Sequence, residues 1–452
     1  MSVINLKRIR DTQRRLTGSN DYAILGVSWD KSANPRLVRT DSALGMVANV
    51  GIDSAYANNH FDGASIYKDI TETTDSLGNK FIRIPKFYIR KTDGVGFKTW
   101  QISKKKYAGF YLPWCFWDFA NGVELPYIDV GKYTGSKTAT KLQSVSGAYP
   151  LINTNIVDMR TFAQNNNAGG LLGYQQLDIH VVDLLQTLFY IEFATLDSQS
   201  VMAGYTSGQY SATHVATVNE AAVNRVILSN AFANLYEVGQ SISVGTSLGG
   251  NQICTNRTIT SIDVYDASSK AITFDGATVD IAKGNIAYNS GYKSGKTDAI
   301  IASSGSYLSN SSGKHSCKYR GIENPFGDVW QFIDGLNITD HQSWVCKNAA
   351  QYASNVFASP YEQLNYVNAN VNNYFKTAGY DANYPFASLP TEAQASNGYY
   401  SDYYYQDAGQ RIALFGGSWD AGAYAGLSYW YLAINSSLAT LNVGGRLLKK
   451  PL

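Results

Sequence analysis

The sequence contains little charge and few histidines. Charged residues make up 16% of its 452 residues, against about 25% in typical globular domains. The 37 basic and 35 acidic residues leave a net charge of only +2. Because nucleic-acid binding needs a basic surface that releases counterions, no nucleic-acid partner is expected. The balance of charge also argues against an acidic, disordered chain.

Long apolar runs and paired cysteines are also missing. No stretch approaches the roughly 20 apolar residues of a membrane helix, and the basic residues 1–16, which predict a solvated end or a short helical arm, resemble no secretion signal. The four cysteines are widely spaced and form no CxxC pair, so neither a disulfide framework nor a zinc site is predicted. We expect a chain made in a reducing cytoplasm, with no membrane insertion, no cofactor and no metal.

Sequence motifs of common enzymes are absent too. There is no G-x-S-x-G, no H-E-x-x-H and no complete P-loop, and the five histidines are scattered. His180 lies beside the apolar stripe of a predicted helix and is expected to be a satisfied core residue. His315 and Cys317 could supply two metal ligands, but no third is near. The sequence therefore predicts a protein that is not an enzyme.

Hydrophobic periodicity predicts an α+β fold. Apolar residues at i, i+3 and i+4 predict a helix over 177–196, and β-rich runs predict strands within 21–50. Residues 80–90 alternate with period two around Pro85, which predicts an edge strand with a bulge. Between 205 and 292, short β-rich runs recur about every 8–12 residues, and this spacing predicts an inserted all-β subdomain.

The last forty residues have an unusual composition. Between Ile412 and Gly445 the only charged residue is Asp420, and small residues alternate with aromatic residues and asparagine. A mixture of Tyr, Trp, Ser, Gly and Asn is typical of adaptable binding surfaces, because the rings give contact area and the small polar groups give hydrogen bonds. An ordinary glycine-rich β core has a similar composition, so this pattern alone leaves both interpretations open.

Three motifs in this order resemble the formylglycine-generating-enzyme branch of the C-type-lectin-like fold. They are Gly-Asp-Val-Trp-Gln-Phe at 327–332, Gly-Gly-Ser-Trp at 416–419 and Gly-Gly-Arg-Leu at 444–447. The chain has no cysteine after Cys346, which the oxidases of that branch need, and no histidine cluster like that of the related sulfoxide synthases. Within this fold, the segment at about 416–443 is most similar to the variable proteins of diversity-generating retroelements, which include phage tropism determinants.

The resemblance implies a domain organisation. It predicts an N-terminal attachment or oligomerisation region with a short β part at 1–70. It then predicts a C-type-lectin-like domain in two parts, 71–198 and 301–452. The β-rich insert occupies 199–300 between them.

The resemblance also implies two different roles for residues in and around the C-terminal segment. Some residues would hold the backbone as a structural frame: Trp330, Gly416, Gly417, Trp419, Gly426, Leu427 and Arg446. Others would contact the ligand: Ser418, Asp420, Ala421, Tyr424, Ser428, Trp430, Tyr431, Ala433, Ile434, Ser436, Leu438 and Thr440. Apart from Trp430, none of these is a Lys, Glu, Gln, Met or Trp, the types that adenine-directed diversification cannot reach. Arg446 is expected to bind a buried acid, such as Asp328, or backbone carbonyls.

These expectations define a function. The resemblance implies a non-enzymatic receptor-binding protein of a phage or prophage tail, located in the virion and made in the bacterial cytoplasm. Its partners would be a host cell-surface protein or glycan and other tail proteins, and it would form a homotrimer. Two alternatives remain open: a bacterial surface adhesin, and a carbohydrate-binding or glycan-cleaving tail protein without diversification. The acids available for cleavage are Asp328, Asp334, Asp340, Asp402 and Asp407.

Overall fold

The computed structural model describes residues 23–452 and shows a mostly β protein, with 38% strand and 12% helix. This agrees broadly with the α+β prediction, although strands dominate. The basic residues 1–16 lie outside the described residues. Within 23–452, no helix is both long and apolar enough to cross a membrane.

Within residues 23–452, twelve strands precede the first α-helix. They are β1 (Leu25–Trp29), β2 (Val38–Asp41), β3 (Gly51–Ile52), β4 (Thr71–Thr74), β5 (Lys80–Pro85), β6 (Tyr88–Gly94), β7 (Phe97–Ser103), β8 (Trp117–Asp118), β9 (Val123–Glu124), β10 (Tyr127–Gly131), β11 (Ser136–Thr138) and β12 (Lys141–Gln143). A four-stranded sheet has the order β2-β1-β7-β6, and β4, β5 and β10 form part of a second sheet.

The predicted edge strand over 80–90 is wrong. β5 ends at Pro85 and is central, because it pairs with both β4 and β10. β6 begins at Tyr88 and pairs with β7 in the other sheet. The apolar positions change parity across Pro85, and such a change fits both a bulge within one strand and a break between two strands, so periodicity alone could not reveal that the chain changes sheets there.

Two α-helices of more than one turn pack into the body of the protein. Helix α1 (Ile156–Gln164) is followed by β13 (Tyr174–Gln176) and by α2 (Ile179–Phe193), which confirms the helix predicted over 177–196. Asp178 caps α2 by accepting a hydrogen bond from the Val181 amide, and Ala194 ends it in the left-handed conformation. Fourteen of the fifteen residues of α2 are buried, so this helix forms the centre of the main core.

The segment predicted as the insert contains a β-rich unit with its own apolar core and one short helix. A five-stranded sheet has the order β15-β18-β17-β16-β20, and β14 pairs with β19 beside it. The elements are β14 (Glu220–Val223), β15 (Arg225–Ser229), the one-turn α3 (Asn230–Ala233), β16 (Ser241–Ser247), β17 (Gly250–Val264), β18 (Ser269–Phe274), β19 (Val279–Ile281) and β20 (Ile286–Asn289).

The C-terminal part builds a nine-stranded sheet. The strands of this part are β21 (Gly305–Ser306), β22 (Cys317–Tyr319), β23 (Ile322–Glu323), β24 (Trp330–Thr339), β25 (Gln342–Val345), β26 (Glu362–Val367), β27 (Asn373–Ala378), β28 (Pro390–Gln394), β29 (Tyr403–Gln406), β30 (Gln410–Phe415), β31 (Trp430–Ile434), β32 (Val443–Gly444) and β33 (Leu447–Lys449). The large sheet runs β26-β25-β24-β30-β31-β29-β27-β28, with β32 pairing with β24.

The remaining pairings join strands of the C-terminal part to the N-terminal half and form two small ribbons. β33 returns to the N-terminal half and lies between β13 and β10, and β21 pairs with β3. Two small ribbons join β8 to β9 and β11 to β12. Short 3-10 helices lie between the strands, at His60–Gly63, Tyr67–Asp69, Trp114–Phe116, Asn165–Gly170, Ala349–Gln351 and Gly422–Tyr424.

The two faces of the large sheet meet different surroundings. Trp430 and Leu432 of β31 belong to the same buried cluster as the leucines of α2. The alternate residues Tyr431 and Ala433 are only partly buried, because successive side chains of a strand point to opposite faces. At β31 one face of the sheet therefore lies against the α2 core and the other reaches the surface, whereas on β24 and β30 the second face is covered by another buried cluster that includes Phe332, Ile412 and Leu414.

Candidate functional site

The segment 416–443 forms a long loop after β30, then β31, and then a second loop that ends at β32. Backbone hydrogen bonds fix the first loop to its surroundings. The Trp419 amide donates to the Asp328 carbonyl at 2.9 Å, and the Gly208 amide donates to the Trp419 carbonyl at 2.6 Å. The Gly422 amide donates to the Thr206 carbonyl at 2.7 Å. These bonds do not depend on which side chains the loop carries.

Side chains from outside the segment bind its backbone as well. Gln199 donates from Nε2 to the Gly422 carbonyl at 2.9 Å and to the Ala425 carbonyl at 2.6 Å. Gln186 of α2 donates to the Leu427 carbonyl at 2.6 Å. The loop is thus held by residues that lie in the helix and in the chain leading to the insert.

The buried carboxyl group of Asp402 adds a further restraint. It accepts a hydrogen bond from the Ser428 amide at 2.6 Å, and burial raises its pKa well above the usual value. Gly426 packs so closely against this carboxyl group that a Cβ atom there would overlap it. Asp402 therefore fixes the end of the loop and requires a glycine beside it.

All seven predicted frame residues are buried. Trp419 is fully buried in a small cluster with Tyr205, Tyr292 and Val329. Gly417 has a φ of 88°, and a Cβ atom there would lie 2.8 Å from the Cβ of Ala425. Both the left-handed backbone and the close approach explain the glycine at this position.

Arg446 binds carbonyls and an amide. It donates to the carbonyls of Gly131, Lys132, Glu323 and Asn324 at 2.8–3.3 Å, and from Nε to the side-chain oxygen of Gln331 at 2.9 Å. The predicted alternative of backbone carbonyls is confirmed. Asp328 is near enough to influence the guanidinium electrostatically but does not bind it. Burial lowers the pKa of Arg446 to about 10, so it remains charged at neutral pH.

The structure divides the predicted ligand contacts into two groups. Ser418, Ser428, Trp430 and Ile434 have at most 8% of their surface exposed and line the core. The others reach the surface: Asp420, Ala421, Tyr424, Tyr431, Ala433, Ser436, Leu438 and Thr440. Trp430 packs on Phe415 at a ring distance of 5.2 Å, within the α2 core, where it has no access to a ligand.

Five tyrosines form a continuous patch on the outer face of the large sheet, which we call the tyrosine patch: Tyr374, Tyr403, Tyr405, Tyr424 and Tyr431. Tyr403 is central, with ring centroids 4.4 Å from Tyr424, 4.9 Å from Tyr405 and 5.2 Å from Tyr374. Tyr405 in turn contacts Tyr431 at 4.8 Å. All five are partly or fully exposed, so the patch offers apolar ring surface with phenol hydroxyls at its edge.

Two rings beneath the patch support it. Trp330 lies 4.5 Å from Tyr429 and 5.5 Å from Tyr431, measured between ring centroids. Both Trp330 and Tyr429 are buried. The partly exposed ring of Tyr431 thus packs on a buried aromatic base.

Three members of the patch come from outside the predicted segment. Tyr403 and Tyr405 lie on β29, which pairs with β31 in parallel, and Tyr374 lies on β27. The motif comparison could not identify them, because it covers only the segment itself. The run of five tyrosines between 397 and 411 was the available sequence signal.

The acids considered for glycan cleavage do not gather at the patch. Asp328, Asp334 and Asp402 are buried, and Asp334 is bound by the Arg160 guanidinium. Asp407, which is exposed, pairs with Arg411 at 3.0 Å. Burial raises the pKa of Asp328 to about 7.

The histidines and metal ligands are dispersed as well. His180 is buried, as predicted for a core residue, and its Nε2 lies 3.1 Å from the Cys346 carbonyl. Its Nδ1 has no hydrogen-bond partner among residues 23–452, so the histidine is only half satisfied. His315 pairs with Glu237 of the insert at 3.0 Å. Within residues 23–452, no group of three or more His, Cys, Asp or Glu side chains could hold a metal ion.

Comparison with known proteins gives no assignment. No protein-family model matches the sequence, and no curated protein matches it significantly.

Proposed function

We propose that this chain is a non-enzymatic ligand-binding protein with a C-type-lectin-like fold, in which residues 416–443 present a site that a retroelement diversifies. The setting we propose is a phage or prophage tail, where the protein would recognise a host cell-surface protein or glycan. The observation that carries the proposal is how the loop is held. Its backbone is bound by backbone groups and by fixed side chains such as Gln199 and Gln186.

This arrangement suits a site whose side chains change. A substitution at Ala421 or Tyr424 removes none of the hydrogen bonds that bind the loop to its surroundings, because those bonds use its amides and carbonyls. A substitution at Asp420 removes only the bond that its carboxylate accepts from the Ser418 hydroxyl within the loop. The buried frame residues Trp419 and Arg446 stay constant beneath it. Stability and specificity can then vary independently, which is what a diversified site needs.

The tyrosine patch gives the proposed site its affinity. Tyrosine supplies a large and rigid contact area at small entropic cost, and tyrosines are enriched among the residues that dominate binding energy. Tyr424 and Tyr431 would vary, whereas Tyr374, Tyr403 and Tyr405 would be constant. In a trimer on a tail, several weak sites would act together through effective concentration.

Sequencing of the source population tests the diversification. We expect a near-copy of the coding region for 416–443, with adenines wherever codons 418–440 vary, beside a reverse-transcriptase gene. An invariant segment without such a copy would refute the retroelement and leave only a fixed ligand site.

Cell binding tests the site itself. Fluorescently labelled protein is measured on whole bacterial cells of the source population by flow cytometry. The double variant Tyr424→Ser and Tyr431→Ser should bind at least about tenfold more weakly, because central tyrosines each contribute on the order of 1–2 kcal/mol. Tyr56→Ser is the matched control, since Tyr56 is 79% exposed and lies in the N-terminal part of the chain.

The melting temperature separates binding from folding. Each variant should melt within a few degrees of the natural protein, because the replaced rings lie at the surface. Unchanged cell binding by a folded double variant would contradict the proposed site.

A further inference from the structure

A second cleft lies among five segments that are distant in sequence. It has a volume of about 490 Å³, within the range of small-ligand sites, which is roughly 300–1,000 Å³. Its walls come from the β8 region, the C-terminal end of α1, β13, the 3-10 helix Ala349–Gln351 and the residues after β33. None of its lining residues belongs to the segment 416–443 or to the tyrosine patch.

One wall of the cleft is aromatic. Trp117 and Phe119 line it, and both rings are partly exposed. Trp114 packs against the two of them, with ring centroids 6.2 Å from Trp117 and 5.5 Å from Phe119. The two exposed rings are therefore held in place by a third, which gives the cleft a rigid apolar surface.

Lys450 lines the cleft and carries a buried ammonium group. Lys450 is only 4% exposed, and its Nζ donates to the carbonyls of Trp114 and Trp117 at 3.3 and 3.2 Å. An ammonium group has three N–H donors, so one remains for a ligand. No carboxylate lies within ion-pair distance of Lys450 among residues 23–452, although Asp118 and Asp178 are close enough to act on it electrostatically.

Amide groups complete the lining. The side-chain oxygen of Asn348 accepts from the Ala350 amide at 3.1 Å, which leaves its NH₂ group available. Gln164 is exposed at the end of α1, and its side chain makes no hydrogen bond to another described residue. Side-chain amides both donate and accept, so they match hydroxyl groups, which do the same.

We propose that this cleft binds a pyranose sugar. The apolar C–H face of the ring would pack on Trp117 and Phe119, and its hydroxyls would bind Lys450, Gln164 and Asn348. Lys450 and Asp118 contribute one positive and one negative charge to the lining of the cleft, so a neutral ligand fits better than a charged one. The inference is independent of the proposed function, because it uses no residue of the diversified segment.

Saturation-transfer NMR on the full-length protein tests this site. The probes are methyl glucoside, methyl galactoside and N-acetylglucosamine, each titrated to about 50 mM because a single sugar is expected to bind in the millimolar range. At least one probe should give a saturable signal. Trp117→Ala should weaken that signal about tenfold, and Gln164→Ala should weaken it severalfold.

If Trp117→Ala fails to fold, Gln164→Ala still tests the site, because Gln164 is exposed and alanine is favourable in a helix. Tyr424→Ser is the matched control and should leave the signal unchanged. A saturable signal that Tyr424→Ser removes and Gln164→Ala leaves intact would place the sugar at the tyrosine patch and overturn the inference. The absence of any saturable signal would also overturn it.

Discussion

Arg446→Met removes the guanidinium group that joins the end of β10 to the end of β23. In the structure this group donates to four backbone carbonyls, which lie after β10 and β23, and to the Gln331 side chain. Methionine has a similar length but no donor. The substitution would leave these acceptors buried and without that partner.

The geometry sets the size of the effect. A buried polar group that loses its partner costs about 1–3 kcal/mol, and some acceptors keep a second partner: the Lys132 carbonyl still accepts from the Glu323 amide. Removing Arg446 also relieves the burial of a charge, which the lowered pKa of the guanidinium reflects. Because several buried acceptors lose their partner while the burial of one charge is relieved, we expect a net loss of about 3–5 kcal/mol.

Thermal unfolding followed by circular dichroism measures this loss. For a chain of 452 residues that unfolds as one unit, an unfolding entropy of about 2.1 cal/mol/K per residue converts the expected free-energy change into a fall in melting temperature of roughly 3–5 °C. Arg411→Met is the matched control: Arg411 pairs with exposed Asp407, and such a surface pair contributes at most about 1 kcal/mol. An Arg446→Met variant that melts as close to the natural protein as Arg411→Met does would refute the reasoning.

Three further predictions concern the frame and its pH dependence. Gly417→Ala should destabilise the protein by about 2–4 kcal/mol in urea unfolding, whereas Gly422→Ala, whose Cβ meets nothing within 4 Å, should cost only about 1–2 kcal/mol for its left-handed backbone. Burial lowers the pKa of His180 from 6.5 to about 3, so stability should fall as pH decreases through this window, and His180→Gln should flatten the dependence of melting temperature on pH there. Burial raises the pKa of Asp328 from 3.8 to about 7. The stability that the protonated carboxyl group contributes is therefore complete below pH 3.8 and is lost as pH rises towards 7. The difference in free energy of unfolding between the natural protein and Asp328→Asn should shrink between pH 4 and pH 8. An opposite slope for either residue would contradict the assigned protonation state.

Local periodicity predicted the elements whose environment is uniform. Helix α2 and the strands of the insert were predicted because one repeating pattern covers each of them. The region from Lys80 to Gly94 was not, since two strands with the same pattern belong to different sheets there. Sheet membership depends on contacts between distant segments, which a single sequence does not display.

The candidate site shows the same limit. The frame residues Gly417 and Trp419 were identified because their motif reflects close packing, and the structure buries them. The sequence could not separate Tyr431 from Trp430, since adjacent residues of a strand face opposite sides and only the pairing decides which side is the core. The tyrosines of β27 and β29 join the patch through strand pairing, and the second cleft is assembled from five separate segments.

The way in which the first loop is held has a practical consequence. The loop is bound through its main chain by hydrogen bonds from Gln199 and Gln186 and to the Thr206 carbonyl. Most substitutions at the exposed positions of the loop should therefore leave folding intact. A combinatorial library at Asp420, Ala421 and Tyr424 of this loop would therefore lose few members to misfolding. Selection from it could yield reagents against chosen targets, with the same framework serving every clone.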